Sequence, residues 1–498
     1  MKKNIIQLSI KALAWCVIAF LFSAVCILSC TNSIQRTQAT ASTDSCECYS
    51  SSVLYSIPVY FSNKVPGDLA AFNNQSQADC FAWQEFIALN WSMDPAHGFG
   101  DPSDLSAVQW ETYMPRDVMF QPNGLPPPNW GTLVSEKYAA KFRSQRLLTD
   151  PSKTKLLTFT SKFQDSDTIN GLDVGQAAPF NAPNWLGAQN GTNVWYEIML
   201  NKDYYDFIVK KGYYNAAVQH DSAKAGHPLN FPQGQYNGPV GAIELKAAWM
   251  EVDNAASAKW RRYKLSQAVV LDATTGKLRN AIVALVGLHI LHKTANQPTW
   301  VWATFEQIDN VPDDSGNTPP YGYNFNSSKC TVQKFSVKNY SGTGDTNVIV
   351  TCTANTSPPY YLNQGTPVPI QINRVNPIDP VDAVPINTKM QNAIKQFFPN
   401  SVWQYYELVD VIWSQSLQPD PTKPIQAPRS INTSSMASGS SIVANSTLES
   451  YVQKVNTCTS CHVYSTIAPY PVDTANNDVF GDFSFAIGSA TYPFTSKK

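Results

Sequence analysis

Five residues near the end of the chain, Cys458-Thr459-Ser460-Cys461-His462, constrain its fold more than any other feature. Two thiols three positions apart project from one face of a helical turn, and the next residue's imidazole follows them around the axis. That spacing lets both sulfurs add across the two vinyl groups of a porphyrin while the imidazole comes under the iron. It is the c-type haem attachment signature. With ten Cys and six His in 498 residues, chance supplies roughly 0.002 such matches per chain. A zinc site would need two further soft or imidazole ligands, and a redox C-x-x-C needs no trailing histidine. One covalent haem c is therefore expected, held by Cys458 and Cys461 with His462 as the proximal iron ligand.

The other end of the chain suits that chemistry. Lys2, Lys3 and Lys11 accompany an apolar stretch from about Ala12 to Leu28, which ends in Ile27-Leu28-Ser29-Cys30. This is the layout of a secretory signal. A cysteine directly after a small residue also resembles the bacterial lipoprotein cleavage site, where Cys30 would receive the lipid. The alternative is an uncleaved transmembrane anchor, since the run nearly spans a bilayer. Thr/Ser/Gln-rich sequence after Cys30, in place of stop-transfer charges, favours the lipoprotein. Thr31 is not an acidic retention-type residue. The expected location is the cell envelope, lipid-anchored at the outer membrane and facing the periplasm.

Export also sorts the cysteines. Cys16 and Cys26 leave with the signal. Cys330 and Cys352 sit symmetrically about the turn-rich NYSGTGD, at the ends of two strand-like runs, so a hairpin would set them opposite each other as a disulfide. Among Cys46, Cys48 and Cys80, one of the first two pairs with Cys80 and one thiol is left over. Charged residues make up only 15% of the chain and the net charge is −1, a polar surface without the field that draws nucleic acid.

Along the chain, QADCFAWQEFIALNW reads as a buried amphipathic helix, and SEKYAAKFRSQR and DYYDFIVKKGYYNAAVQ as further helices. From Gly241 the runs GAIELKAAWMEV, KWRRYKLSQAVVL, LRNAIVALVGLHILHK and TWVWATFEQI are rich in β-branched and aromatic residues and bounded by turn chemistry. Short connections make them an antiparallel meander. NTKMQNAIKQFF and VWQYYELVDVIW read as helices. Ser446-Thr447-Leu448-Glu449 has the form of a capping box, opening a helix that leads into the haem motif. The expected fold is α+β, an antiparallel β-meander body with flanking helices and a small helical C-terminal haem c segment. Its parts are a signal peptide at 1–29, a flexible tether at 30–50, and a helix- and loop-rich region at 51–240. A β-rich region at 241–385, a helical segment at 386–430, a Ser-rich linker at 431–445 and the haem segment at 446–498 follow.

No Met or His follows His462, so any sixth iron ligand must come from upstream. The candidates are His289, His292 and Met436. The two histidines lie three apart on one predicted strand and therefore on opposite faces, while Met436 lies in the Ser-rich linker. His97, His220 and His227 read as surface residues. Glu306, continuing the alternating face Trp300, Trp302, Thr304, is a candidate distal group together with His289 and His292. Glu244 and Lys246 interrupt an otherwise apolar strand and could line the same pocket.

FAWQEFIALNW, GAIELKAAW, VGLHILHKT with TWVWATFEQIDNVP, VWQYYELV, and NSTLESYVQKVNTCTSCH with DFSFAIG together resemble a group of large bacterial cytochrome c family proteins. The resemblance spans most of the chain after residue 77 and includes Cys458, Cys461 and His462. It implies that body and haem segment form one inherited unit, and it supplies no reaction. A C-terminal haem motif after a β-rich body is also similar, at the level of fold alone, to small β-sheet c-type cytochromes that oxidise hydroxylamine. Two readings follow. One is a monohaem cytochrome passing single electrons to or from a redox partner protein or small molecule. The other is a haem enzyme (oxidase- or peroxidase-like) or small-ligand sensor, with an open distal site covered by the β-rich body.

Overall fold

In the computed structural model, nine strands among the described residues pair into one curled sheet. Described are residues 45–48, 57–145, 147, 154–158, 168–169, 172–173, 186–271, 277–313, 318–338, 345–356, 362–363, 366–367, 370–414, 436–437, 442–454, 458–469 and 479–493. In chain order the strands are β1 (Met114–Pro115), β2 (Lys155–Leu157), β3 (Val194–Leu200), β4 (Ile243–Glu251) and β5 (Leu265–Leu271). They continue as β6 (Leu278–His292), β7 (Val301–Gln307), β8 (Tyr406–Ser414) and β9 (Met436–Ala437). The sheet order is β9-β8-β7-β6-β4-β3-β1, with β5 on β6 and β2 on β5. Among the described strands of this sheet, only β2 and β5 pair in parallel. The fold is α+β, as the sequence predicts.

β6 organises the sheet because it is long enough to serve two neighbours along one edge. Leu278 to Ala284 pair with β5, and Gly287 to His292 pair with β7. A bulge between Leu285 and Gly287 where β6 meets β4, and another at Thr304/Phe305 where β7 meets β8, add local twist and curl the sheet.

The helices are α1 (Gln75–Leu89), α2 (Arg116–Met119), α3 (Glu136–Gln145), α4 (Lys202–Lys211), α5 (Ala216–Lys224), α6 (Ala383–Phe397) and α7 (Cys458–His462). Asn74 caps α1 by accepting from the Gln77 amide. The sequence predicts a buried amphipathic α1, and it is buried nearly all round, as a helix with apolar residues on every side must be. It covers one face of the sheet, where the Phe305 ring packs against Phe86 at 4.3 Å and Trp83 at 5.2 Å. The opposite face presents Trp302, Thr304 and Glu306 to the C-terminal part of the chain.

Three elements differ from the sequence reading. VWQYYELVDVIW is a short 3-10 turn, Val402–Tyr405, followed by β8. Its unbroken apolar run is explained by a strand buried on both faces, with Leu408, Val411 and Trp413 in the core on one side and Ile412 on the other. The stretch 446–454 is a series of turns rather than a helix. Its cap sits one residue earlier than expected: Asn445 accepts from the Thr447 amide, and Glu449 accepts from the Asn445 amide. The Ser446 hydroxyl is diverted to the Glu306 carboxylate. Finally, the region before residue 241 supplies β1 to β3, so the segments at 51–240, 241–385 and 386–430 interleave in one sheet. Residues 43–498 form one compact unit.

Disulfides join Cys48 to Cys80 and Cys330 to Cys352. The second closes the expected hairpin, Gln333–Lys338 against Asp345–Val350. Residues 1–29, which the sequence reads as a signal peptide, Cys30 and most of the expected tether at 30–50 lie outside the described residues, and Cys46 is described only in its backbone, where it pairs with Val59. Among the described residues no helix is long and apolar enough to cross a membrane.

Candidate functional site

Cys458 and Cys461 lie on α7, both half-buried and neither in a disulfide. Amides of Val463, Tyr464 and Ser465 fold back onto the carbonyls of Thr459, Cys461 and His462. The His462 ring is fixed from three sides. Trp302 meets it edge-on at 4.8 Å, and Phe485 does the same at 4.9 Å. Its Nδ1 donates to the Phe483 carbonyl at 2.7 Å. A carbonyl can only accept, so Nδ1 must carry the proton and, in the neutral ring, Nε2 carries the lone pair. This is how proteins set the tautomer and orientation of an imidazole that ligates a metal.

The Phe483 carbonyl is brought there by unusual backbone. Asp482 and Phe483 have φ of 51° and 65°, a left-handed conformation that costs non-glycine residues about 1 kcal/mol or more each. Five side chains hold it in place. Asp482 accepts from the Phe231 amide at 2.8 Å and pairs with Lys293, which is fully buried. Ser484 donates to Glu244 at 2.6 Å, which leaves the Tyr204 hydroxyl, at 2.9 Å, to donate to Ser484. Burial raises the Glu244 carboxyl above its ordinary pKa, against the lowering effect of the Ser484 hydrogen bond and of Arg116 and Lys246. Around this loop lies an apolar cluster that includes Leu291, Trp300, Trp302, Ile412, Ile467 and Phe483, with Cys458 packed at its margin.

Several of the sequence candidates do other work. His292 lies on the α1 face, stacked on Phe81, with Nδ1 on Glu85 and Nε2 on the Val240 carbonyl. Burial disfavours its charged form, but the Glu85 carboxylate outweighs this and the imidazole pKa is raised. His289 shares the face of Trp302, as the predicted alternation requires, and meets Glu449 at 3.2 Å. Glu306 lies two positions beyond Thr304 on that same face and binds Ser446 and Arg374, the latter at 2.8 Å. His289 and Glu306 thus dock the 445–449 segment onto the sheet. Gly287 is required for this approach, because a Cβ there would come within 2.2 Å of Thr447 Oγ1. The Met436 backbone pairs with Ser414 at the sheet edge. His220 is buried rather than on the surface, with Nε2 bonded to the Ala468 carbonyl at 2.6 Å.

The Asp482-Phe483-Ser484 loop, Lys293 and Tyr204 escape sequence reasoning. The aromatic DFSF run is visible, but nothing in it announces a carbonyl aimed at His462. The residues fit a covalently bound haem: two cysteines outside any disulfide, an imidazole with its tautomer set, and an apolar surround. Among the described residues no group of three or more His, Cys, Asp or Glu is placed to hold a metal ion. No protein-family model, curated protein or solved structure matches the chain.

Proposed function

We propose that this chain is a monohaem c-type cytochrome of the cell envelope, attached to the membrane by a lipid on Cys30, that passes single electrons between redox partners. In this reading Cys458 and Cys461 would form the thioether links and His462 would ligate the iron. The observation that carries it is the hydrogen bond from His462 Nδ1 to the Phe483 carbonyl. When bound, the haem supplies a one-electron iron couple. The chain's part is positional. Trp302 and Phe485 prevent rotation of the imidazole, and Lys293 and Glu244 fix the loop that receives its proton.

Electron transfer is favoured over catalysis because the groups available for distal acid–base work are committed elsewhere. His292 uses both ring nitrogens on the far face, and Glu306 is tied to Ser446 and Arg374. Of the sixth-ligand candidates, Met436 is preferred. Its backbone partner Ser414 lies two residues beyond Ile412, the neighbour of Trp302, so Met436 joins the sheet at the Trp302 end. The test is carbon monoxide added to the dithionite-reduced protein. The reading predicts an unchanged spectrum in the parent and a shifted Soret band in M436A. An immediate shift in the parent would instead place an open iron site, and with it an enzyme or ligand sensor, ahead.

A further inference from the structure

Thr299 and Trp300, at the entrance to β7, have two features that the fold does not explain. Trp300 has φ of 70°, a conformation that bulky residues adopt only where their surroundings impose it. Both residues are about 1% exposed, yet among the described residues neither Thr299 Oγ1 nor Trp300 Nε1 has a hydrogen-bond partner. A buried donor left unsatisfied is costly and rare. Here two lie on consecutive residues, and one of them is strained.

Their position supplies an explanation. The Trp302 indole that faces His462 donates through Nε1 to the Thr299 carbonyl at 2.9 Å, so Thr299 is one hydrogen bond from the ring beside the imidazole. Trp300 belongs to the same apolar cluster as Trp302, Phe483 and Ile467. The other unpartnered buried indoles, Trp260 and Trp403, belong to different clusters. A c-type haem fixed at Cys458, Cys461 and His462 brings two carboxylate side chains into an otherwise apolar surround, and each needs donors. We propose that Trp300 Nε1 and Thr299 Oγ1 are the hydrogen-bond donors to a haem propionate. This rests on the haem reading above. It explains why a tryptophan is held in strained backbone with its one polar atom unpartnered: the site is shaped for an acceptor that the polypeptide does not provide.

The test is a potentiometric titration of haem-loaded full-length parent, W300F and T299V. Loss of either donor leaves more negative charge beside the iron and favours the ferric form. The expected change is about threefold in the oxidised-to-reduced ratio at fixed potential, or about 30 mV downward for a one-electron couple. The nearly isosteric T299V keeps the test valid if W300F folds poorly. A second measurement separates binding from packing. In the full-length C458A/C461A background, which holds no covalent haem, W300F removes an unsatisfied donor. It should leave the urea midpoint unchanged or raised, whereas it lowers the midpoint of the haem-loaded form. If haem is attached but both variants keep the parental potential, or if W300F lowers both midpoints equally, the assignment is overturned while the haem reading stands. If the parent itself acquires no haem, both fall together.

Discussion

Replacing Asp482 by Asn tests how the proximal loop is held. The carboxylate pairs with Lys293, and the two side chains are 4% and 0% exposed. Lys293 Nζ also donates to Asn230 Oδ1 at 2.7 Å, a neutral acceptor that cannot replace a charge. Removing one partner of a buried ion pair costs about 3–5 kcal/mol. Against a typical stability of about 5–15 kcal/mol, D482N should still fold, with a much lower urea midpoint followed by tryptophan fluorescence. The double variant K293M/D482N buries no charge and should recover most of the loss, because neutral replacement of both partners is close to balanced. The Phe483 carbonyl is the next residue's, so the haem potential should move in D482N as the His462 hydrogen bond loosens. A D482N cost below about 1 kcal/mol, the worth of an exposed ion pair, would refute the reasoning, as would a double variant no more stable than the single one.

Two further perturbations probe the rest of the structure. G287A places a methyl group 2.2 Å from Thr447 Oγ1 and 3.0 Å from Asn445 Oδ1; the overpacking should cost about 1–3 kcal/mol, and an unchanged urea midpoint would mean that the 445–447 segment does not dock there. Glu407 shares Arg374 with Glu306, and burial raises its carboxyl from the ordinary 4.5 to about 8. The folded state then binds more protons than the unfolded state between those values. Its contribution is complete below pH 4.5 and is lost as pH rises through about 8, at no more than about 1.4 kcal/mol per pH unit. E407Q should flatten that slope in unfolding midpoints taken at pH 5, 6.5 and 8; an equally steep slope in E407Q would assign the dependence to another group.

The strands from Ile243 to Gln307 were legible because β-branched residues and turn signals repeat at strand period, and the Cys330–Cys352 hairpin because its turn is symmetric. β8 was not. An apolar run buried on both faces has no alternation, and its aromatic residues fit a helix equally well. The 446–454 segment misled for a different reason. Its capping residues are present, but Ser446 spends its hydroxyl on Glu306, a partner 140 positions away in sequence. The haem motif was legible because its chemistry is local. The loop that orients His462 was not, since a carbonyl acting as acceptor leaves no mark on residue type, and Lys293 and Glu244 reach it only through the folded sheet.

The central claim is tested most directly by the mass of the mature chain after expression with export and haem-maturation machinery, measured under denaturing conditions that strip non-covalent ligands. The account predicts a mass higher by one haem, a haem absorbance that stays with the unfolded polypeptide, and loss of both in C458S/C461S. A mature chain at its polypeptide mass with both thiols reactive would contradict it.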